Sequence, residues 1–163
     1  MRFKLVPAAP PDLSVVETVR EAVPLVPGSE DDCCARIVRR TPVDARDEAA
    51  TWLTFLRALD LAAEGPAGFR RRRDADPAPG DLRRAFRERV YGAEAVLEIL
   101  DAAADPLPAD DVYERFRGEI PAYEREKYGD RLDEVWRERV RRLLDWAVLL
   151  DLAERTDGGY RRG

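Results

Sequence analysis

The feature that most constrains how this chain folds is a short sequence that occurs twice, at residues 59–70 and 150–161. The first copy reads LDLAAEGPAGFR and the second reads LDLAERTDGGYR. Both begin with Leu-Asp-Leu-Ala, and both end with a glycine, an aromatic residue and an arginine. Each copy also follows a segment whose apolar residues recur at helical spacing. The repeat therefore predicts a duplicated module.

The length of the chain sets the size of the two modules. A chain of 163 residues accommodates two units of roughly 75 to 80 residues each. Units of that size bury little apolar surface by themselves, so we expect the two to pack together and share an interface. Apolar residues make up 45% of the chain, which excludes a wholly disordered chain.

Three helical patterns precede the first copy of the repeat. The first follows a double proline, the second opens at Ser29, and the third begins near Asp44 or Asp47. From Leu59 the apolar residues alternate with polar ones, which indicates a strand, and the following Gly-Pro-Ala-Gly indicates a tight turn. Three short helices followed by a hairpin is the element order of a winged helix.

A connector rich in proline, glycine and aspartate separates the two modules. Residues 74–80 read Asp-Ala-Asp-Pro-Ala-Pro-Gly, a composition typical of a linker. We therefore assign residues 1–73 to the first unit and residues 81–163 to the second.

The second unit repeats the same order of elements with one addition. We expect one long helix from Asp81 to the proline at position 106, and then a short helix from Asp110. Residues 122–129 look like an insertion. The last helix begins near Arg131, and Thr-Asp-Gly-Gly at residues 156–159 predicts the second hairpin.

These patterns predict a mainly α fold with short β-hairpins, built as two tandem winged-helix units packed together. Residues 12–73 and 82–161 resemble tandem winged-helix proteins of archaea. The stretches RAFRERVYGAEAVLEIL at 84–100 and 141–160, which ends in DWAVLLDLAERTDGGY, are also similar to the AAA-associated C-terminal domain found behind some transporter ATPases. That second resemblance implies a regulatory or interaction module.

The composition favours a particular source and location. Lys4 and Lys127 are the only lysines, histidine, asparagine and glutamine do not occur, and the net charge is −5. Either a salt-adapted proteome or a GC-rich genome accounts for this, and we favour a halophilic archaeon. No apolar run approaches the roughly 20 residues that cross a bilayer, and no secretion signal opens the chain, so we expect a cytoplasmic protein without membrane contact.

The residues needed for catalysis or metal binding are scarce. Cys33 and Cys34 are adjacent, which rules out a disulfide framework, and without histidine or a CxxC spacing a structural zinc site is not expected. The cysteine pair is a candidate redox sensor or soft-metal site, but we expect it to be buried as two small apolar side chains. We expect neither an enzyme nor a cofactor, and no small-molecule substrate is evident.

The candidate nucleic-acid contacts are arginines of the hairpins and of the second unit's last helix. A run of four arginines ends the first hairpin, where a wing can lie along a phosphate backbone. The alternative is a solvated or internally ion-paired surface, because acidic residues lie nearby in both units. The residues concerned are Arg70, Arg71, Arg72, Arg73, Arg137, Arg141 and Arg161.

Two hypotheses for function follow, and neither involves catalysis. The first is a DNA-binding protein or transcription regulator that contacts double-stranded DNA through these arginines. The alternative is a protein-interaction or scaffold module that binds a partner, a second copy of itself or an ATPase. Tyr123 and Tyr128, within a charged segment, are the candidate protein-interaction residues. We rank DNA binding first because it is the commoner use of the fold.

Overall fold

The computed structural model describes residues 3–75 and 78–163, and the chain divides into two compact units, Met1–Val90 and Tyr91–Gly163. Within the described residues, the first unit contains four helices and a hairpin, and the second contains four helices, two short 3₁₀ turns and a hairpin. The architecture confirms the expected mainly α fold with two short β-hairpins. In chain order, the elements are α1 (Ser14–Ala22), α2 (Glu30–Arg40), α3 (Arg46–Ala58), β1 (Ala62–Gly65), β2 (Gly68–Arg71), α4 (Pro79–Arg89), α5 (Ala93–Ala102), α6 (Ala109–Phe116), α7 (Ala122–Tyr128), α8 (Leu132–Leu149), β3 (Ala153–Thr156) and β4 (Gly159–Arg162).

The helices of the first unit begin where local hydrogen bonds favour them. The Ser29 hydroxyl accepts the backbone N–H of Asp32 at 3.0 Å, as its sequence predicts, and acidic residues in the first turn of α2 meet the positive end of the helix. Thr41 ends α2 in an extended conformation ahead of a proline. The buried faces of α1, α2 and α3 meet in one apolar core.

The repeated Leu-Asp-Leu begins as a turn that closes the third helix, and not as a strand. In the first unit, Asp60 takes a left-handed conformation with φ of 65°. The N–H of Leu61 donates to the carbonyl of Leu56 at 2.9 Å, and the N–H of Asp60 donates to the carbonyl of Arg57 at 3.1 Å. This is a Schellman closure with aspartate in the position that glycine usually takes. The strand expected from Leu59 therefore starts only at Ala62.

Each wing is a two-stranded antiparallel hairpin that gains a third, one-residue strand. In the first unit, β1 pairs with β2 so that Glu64 faces Phe69. Phe69 also exchanges both backbone hydrogen bonds with Gly28, just before α2, at 2.8 and 2.9 Å. Gly68, with φ of 123°, lies so close to Gly28 that a Cβ atom would collide with the Gly28 carbonyl. Glycine is required there by both its conformation and its contact.

The second unit repeats this arrangement element by element. Asp151, with φ of 61°, closes α8 as Asp60 closes α3, and Leu152 N–H bonds to the carbonyl of Ala147 at 2.8 Å. Tyr160 of β4 exchanges two backbone bonds with Leu107, just before α6. The duplicated sequence is thus a helix closure plus a wing in both units. Residues 122–129, expected to be an insertion, contain α7 and lie between α6 and α8.

The single helix expected from Asp81 is interrupted and forms two helices. The pattern from Asp81 predicts a continuous helix to position 106, but α4 ends at Arg89 and α5 starts at Ala93. The break falls at Gly92, whose φ is 87°. The chain therefore turns at this glycine although the apolar positions continue in phase across it, since Val90 and Ala93 are both buried.

The division between the units also falls later than the connector at 74–80. Helix α4 belongs to the first unit, where it packs on α3, and the Arg89 guanidinium donates to the carbonyl of Arg57 at 2.9 Å. The N–H of Phe3 bonds to the carbonyl of Arg89 at 2.8 Å. Asp76 and Pro77 of the expected connector lie outside the described residues. Across the described residues, no helix has the length and apolar character that crossing a membrane requires.

Candidate functional site

The arginine run of the first wing is only partly open to a ligand. Arg72 is paired with Asp60 at 2.5 Å and with Asp74 at 3.3 Å, and these carboxylates raise the pKa of its guanidinium. Arg71 is half-buried, and its N–H bonds to the carbonyl of Pro24. Arg70 and Arg73 are exposed and form no ion pair with any described residue. Half of the run is therefore structural.

In the second unit, each of the three candidate arginines takes part in an ion pair. Arg137 lies 3.2 Å from Asp110 and covers the ring of Tyr113 at 4.8 Å. Arg141 pairs with Glu138 at 3.6 Å, one turn away on α8. Arg161 pairs with Glu154 at 2.6 Å across the wing. The surface of α8 is thus internally neutralised.

The third helix of the first unit is covered by the N-terminal segment, residues 3–8. The Phe3 ring lies under the guanidinium of Arg57, 5.2 Å away at the end of α3, while the Ala8 N–H lies 3.4 Å from the Glu48 carboxylate near its start. Val6, between them, is buried. From Glu48 onward every α3 residue is half-buried or buried. Only Arg46 and Asp47 are exposed on α3.

The third helix of the second unit, α8, is more open, and most of its exposed side chains are carboxylates that are paired with arginines. The exposed positions are Asp133, Glu134, Glu138 and Arg141. Asp145, half-buried on the same helix, accepts the Tyr160 hydroxyl at 2.6 Å. Because its charges are paired within the unit, α8 offers a DNA groove no excess of positive charge with which to neutralise phosphates.

A cavity of about 420 Å³ opens between α3 and the wing of the first unit. We call it the first-unit cleft. Leu5 of the N-terminal segment, Ala50 of α3 and Phe69 of β2 line it with apolar surface. Its polar lining comprises Glu30, Asp47, Glu64, Arg57, Thr51 and Thr54, with Leu53 beneath them.

The carboxylates of the first-unit cleft outnumber its cations. Arg57 pairs with Glu64 at 3.2 Å. Glu30 lies 4.0 Å from Arg46, whose closer partner is Asp31. Asp47 has no ion pair with the described residues. The cleft therefore combines apolar side chains with a negative rim.

The second unit has a cavity of about 500 Å³ in the equivalent place, the second-unit cleft. Its lining includes Arg141 of α8, Arg155 of β3, Asp145 and Tyr160. Arg155 faces Tyr160 in the wing as Glu64 faces Phe69, so these positions correspond. Arg141 precedes the end of α8 by the same number of residues as Ala50 precedes the end of α3. The duplicated scaffold thus carries an excess of carboxylates in the first-unit cleft, whereas the second-unit cleft combines two arginines with the carboxylates Asp145 and Asp157.

The two candidate tyrosines differ in exposure. The Tyr123 side chain, on α7, is 56% exposed. Tyr128 is half-buried, because its hydroxyl accepts from Arg139 at 3.2 Å and its ring lies under that guanidinium. Arg139 also pairs with the buried Glu124 at 3.4 Å. Tyr128 therefore helps to hold α7 on α8, whereas Tyr123 faces solvent.

The adjacent cysteines are buried, as expected. Cys33 and Cys34 have no exposed surface, and desolvation raises the pKa of both thiols. A thiol in that state is a poor nucleophile and a poor metal ligand. No cluster of metal-binding side chains occurs among the described residues.

Both units combine a three-helix core with a wing, and comparison of the chain with known families agrees with this architecture. Over residues 1–163 the chain matches the family described as the halobacterial double winged helix domain. The chain belongs to this double winged-helix family. The assignment confirms the expected tandem winged-helix protein of haloarchaeal type. No curated protein and no solved structure matches the chain. Winged-helix domains are commonly DNA- or protein-binding and typically not enzymes, so the fold is of a regulatory kind.

Proposed function

We propose that this double winged-helix protein is a non-enzymatic regulatory module that binds another protein through the first-unit cleft. The supporting observation is the closed third helix: beyond its first turn, α3 has no exposed side chain to place in a DNA groove. The cleft beside it remains open, with an apolar lining and unequal charge. An apolar surface with a polar rim is the usual character of a protein-binding site.

The charge of the cleft supports a protein partner over DNA. Winged helices of the helix-in-groove type place the third helix against bases and the wing against phosphates. In the first unit, Glu30, Asp47 and Glu64 would then face the phosphate backbone at short range. Carboxylates in that position oppose the neutralisation of phosphates from which DNA affinity mainly comes. This is why we now rank protein binding first.

The test is capture of a partner from native lysate in molar salt, with the full chain as bait. The A50R variant places an arginine in the cleft. The second unit has an arginine, Arg141, at the equivalent position, so the fold accommodates this side chain. The control is E98R, which adds the same positive side chain at an exposed site on α5. We expect a protein captured by the wild type and by E98R but not by A50R. If no captured protein depends on Ala50, the proposal fails.

DNA binding through the first wing is the second candidate, and one observation favours it. Arg70 and Arg73 are exposed on the wing and its exit, and neither forms an ion pair with the described residues. Arginines in that state are suited to phosphate contacts without base reading.

Fluorescence polarisation with labelled duplex DNA at several salt concentrations tests this candidate. If the wing binds DNA, R70S/R73S flattens the slope of log affinity against log salt by about 1.8, because two phosphate contacts are lost. Replacing Arg161, which is similarly exposed but paired with Glu154, serves as the control and changes the slope less. Equal slopes for wild type and R70S/R73S would exclude the wing as a DNA contact.

A further inference from the structure

We infer that the first-unit cleft receives a basic peptide segment of its partner, in which arginine or lysine stands next to a large apolar residue. The inference rests on the proposed function and narrows it to a class of ligand. Its grounds are the apolar lining, the excess of carboxylates and the contrast with the second-unit cleft.

The apolar lining provides a place for an aliphatic side chain. Leu5 is 45% exposed, which is unusual in this chain for a large apolar residue, and it lines the same cavity as Phe69 and Ala50. Burial of apolar area at this position stabilises a complex and offsets part of the costs of association. A cavity of about 420 Å³ is large enough for one or two side chains of a peptide, and too small for a folded domain.

The rim carries the charge that selects the peptide. Asp47 forms no ion pair with a described residue, and Glu30 shares Arg46 with the closer Asp31. Glu64 is paired with Arg57, but it remains 45% exposed. An incoming guanidinium could therefore bond to carboxylates on α2 and α3, while its methylene groups cover Leu5.

The second-unit cleft provides an internal comparison within the same chain. Arg155 stands where Glu64 stands in the first unit, and Arg141 stands where Ala50 does. Two carboxylates, Asp145 and Asp157, also line that cleft and balance the two arginines, and Asp145 already accepts the Tyr160 hydroxyl. In the second-unit cleft a basic peptide would meet positive charges at Arg141 and Arg155. It should therefore bind the first-unit cleft in preference to the second, although the backbone of the two clefts is alike.

Recognition of this kind persists in concentrated salt. At an ionic strength near 1 M the Debye length is about 3 Å, so charges at a distance no longer steer association. Direct carboxylate–guanidinium bonds and apolar contacts act within that range. A site that combines both suits a protein of the halobacterial family.

The experiment measures polarisation of short labelled peptides with the full chain in molar KCl. The probe alternates arginine with leucine, and two comparison probes replace either the arginines by glutamate or the leucines by serine. The variant E30Q/D47N/E64Q removes the cleft charges but retains side-chain shape. E98Q/E126Q/D130N is the matched control, because it neutralises three exposed carboxylates of the second unit. Thermal melting verifies that both variants are folded.

We expect the arginine–leucine probe alone to bind, with affinity lowered about tenfold in the cleft variant and unchanged in the control. Equal binding of the acidic probe, or equal affinity in the two variants, would overturn the inference. Sedimentation of the free chain tests whether a second copy of the protein occupies the cleft. If the chain is a dimer and E30Q/D47N/E64Q dissociates it, the cleft binds a second copy, and the inference of a basic peptide is overturned. A partner captured in an Ala50-dependent way without peptide binding would refute the basic ligand and leave the proposed function standing.

Discussion

Two buried tyrosines have their hydroxyl groups fixed on carboxylates. Tyr113 donates to Asp133 and Tyr160 donates to Asp145, each at 2.6 Å. Burial first, and the carboxylate second, raise the pKa of each tyrosine to about 12. The same bond lowers the pKa of Asp133. In the second unit, two tyrosines therefore anchor α8, Tyr113 from α6 and Tyr160 from the wing.

These tyrosines should ionise late in an alkaline titration. Their folded pKa exceeds the value of about 10 in an unfolded chain, so the stability they provide is complete below pH 10 and is lost as the pH rises toward 12. Ultraviolet absorbance of tyrosinate should show a late-titrating class. Y113F and Y160F should each remove one group from that class. The absence of any late class in the folded protein would contradict this assignment.

The cysteines should be unreactive in the folded chain. Cys33 and Cys34 have no accessible surface, and burial raises the pKa of both thiols. Ellman's reagent should therefore modify them only at the rate at which the first unit opens, and rapidly once denaturant is added. Immediate reaction of two thiols under native conditions would show that this part of α2 is accessible.

At the scale of single residues, the sequence predicts local relations and misses distant ones. The Ser29 cap and the buried cysteines follow from neighbours along the chain, and both are confirmed. The pairing of Arg137 with Asp110, or of Arg72 with Asp60, depends on which elements the fold brings together. For that reason the sequence could name the candidate arginines but could not tell which of them would be neutralised.

At the scale of elements, the turn after each third helix offers a test of backbone conformation. Asp151 has φ of 61°, where glycine is more stable than aspartate, and its charge lies at the negative end of α8. The left-handed region costs a residue with a Cβ atom roughly 1–2 kcal/mol, and the greater freedom of glycine in the unfolded chain offsets part of that cost, so D151G should raise the free energy of unfolding by up to about 1 kcal/mol. Guanidinium denaturation measures the change.

The equivalent substitution in the first unit provides the comparison. Asp60 has the same conformation but also pairs with Arg72 at 2.5 Å. D60G removes this partner along with the unfavourable conformation, so its gain in the free energy of unfolding should be smaller than the backbone conformation alone would give. If D151G destabilises the chain, the closure of α8 does not depend on the backbone preference described above.

The elements that the sequence misses have no periodic signal. The third strand of each wing is a single residue, Gly28 or Leu107, too short for an alternating pattern. The break between α4 and α5 is hidden because apolar residues continue at helical spacing across Gly92. The N-terminal segment does carry a weak signal in Phe3 and Leu5, two apolar residues in alternation, but nothing in the sequence identifies α3 as the surface they cover.

At the scale of the whole molecule, the position of the boundary between the units is testable by fragmentation. A fragment of residues 1–90 keeps α4 on α3 and the backbone bond from Phe3 to Arg89. A fragment that ends at residue 78, within the connector expected from sequence, loses both. We expect the longer fragment to melt cooperatively at a higher temperature in circular dichroism.

Fragment 91–163 is the natural control for this comparison. It contains a complete helix set and wing with its own buried core, including Phe116 stacked on Trp136 at 5.8 Å. We expect it to fold alone. If fragments 1–78 and 1–90 melt at the same temperature, the boundary between the units lies in the connector at residues 74–80.

The duplication itself was readable from sequence, whereas the divergence of its two surfaces was not. Aligning the repeats already places Glu64 against Arg155. Only the structure shows that both residues face a cleft, since the cleft is formed by the wing, the third helix and a distant N-terminal segment. Shared residues thus determine the scaffold, and the chemistry of each unit depends on the positions that differ.

The course of the N-terminal segment along α3 has a practical consequence for labelling. Lys4 and Lys127 are the only lysines of the chain, and Lys4 adjoins Leu5 at the first-unit cleft, whereas Lys127 lies on α7 in the other unit. Amine-reactive reagents therefore have two side-chain targets, one beside the cleft and one remote from it. A footprint by acylation and mass spectrometry then contains its own reference, because a ligand seated on Leu5 should change the labelling of the adjacent Lys4 more than that of Lys127.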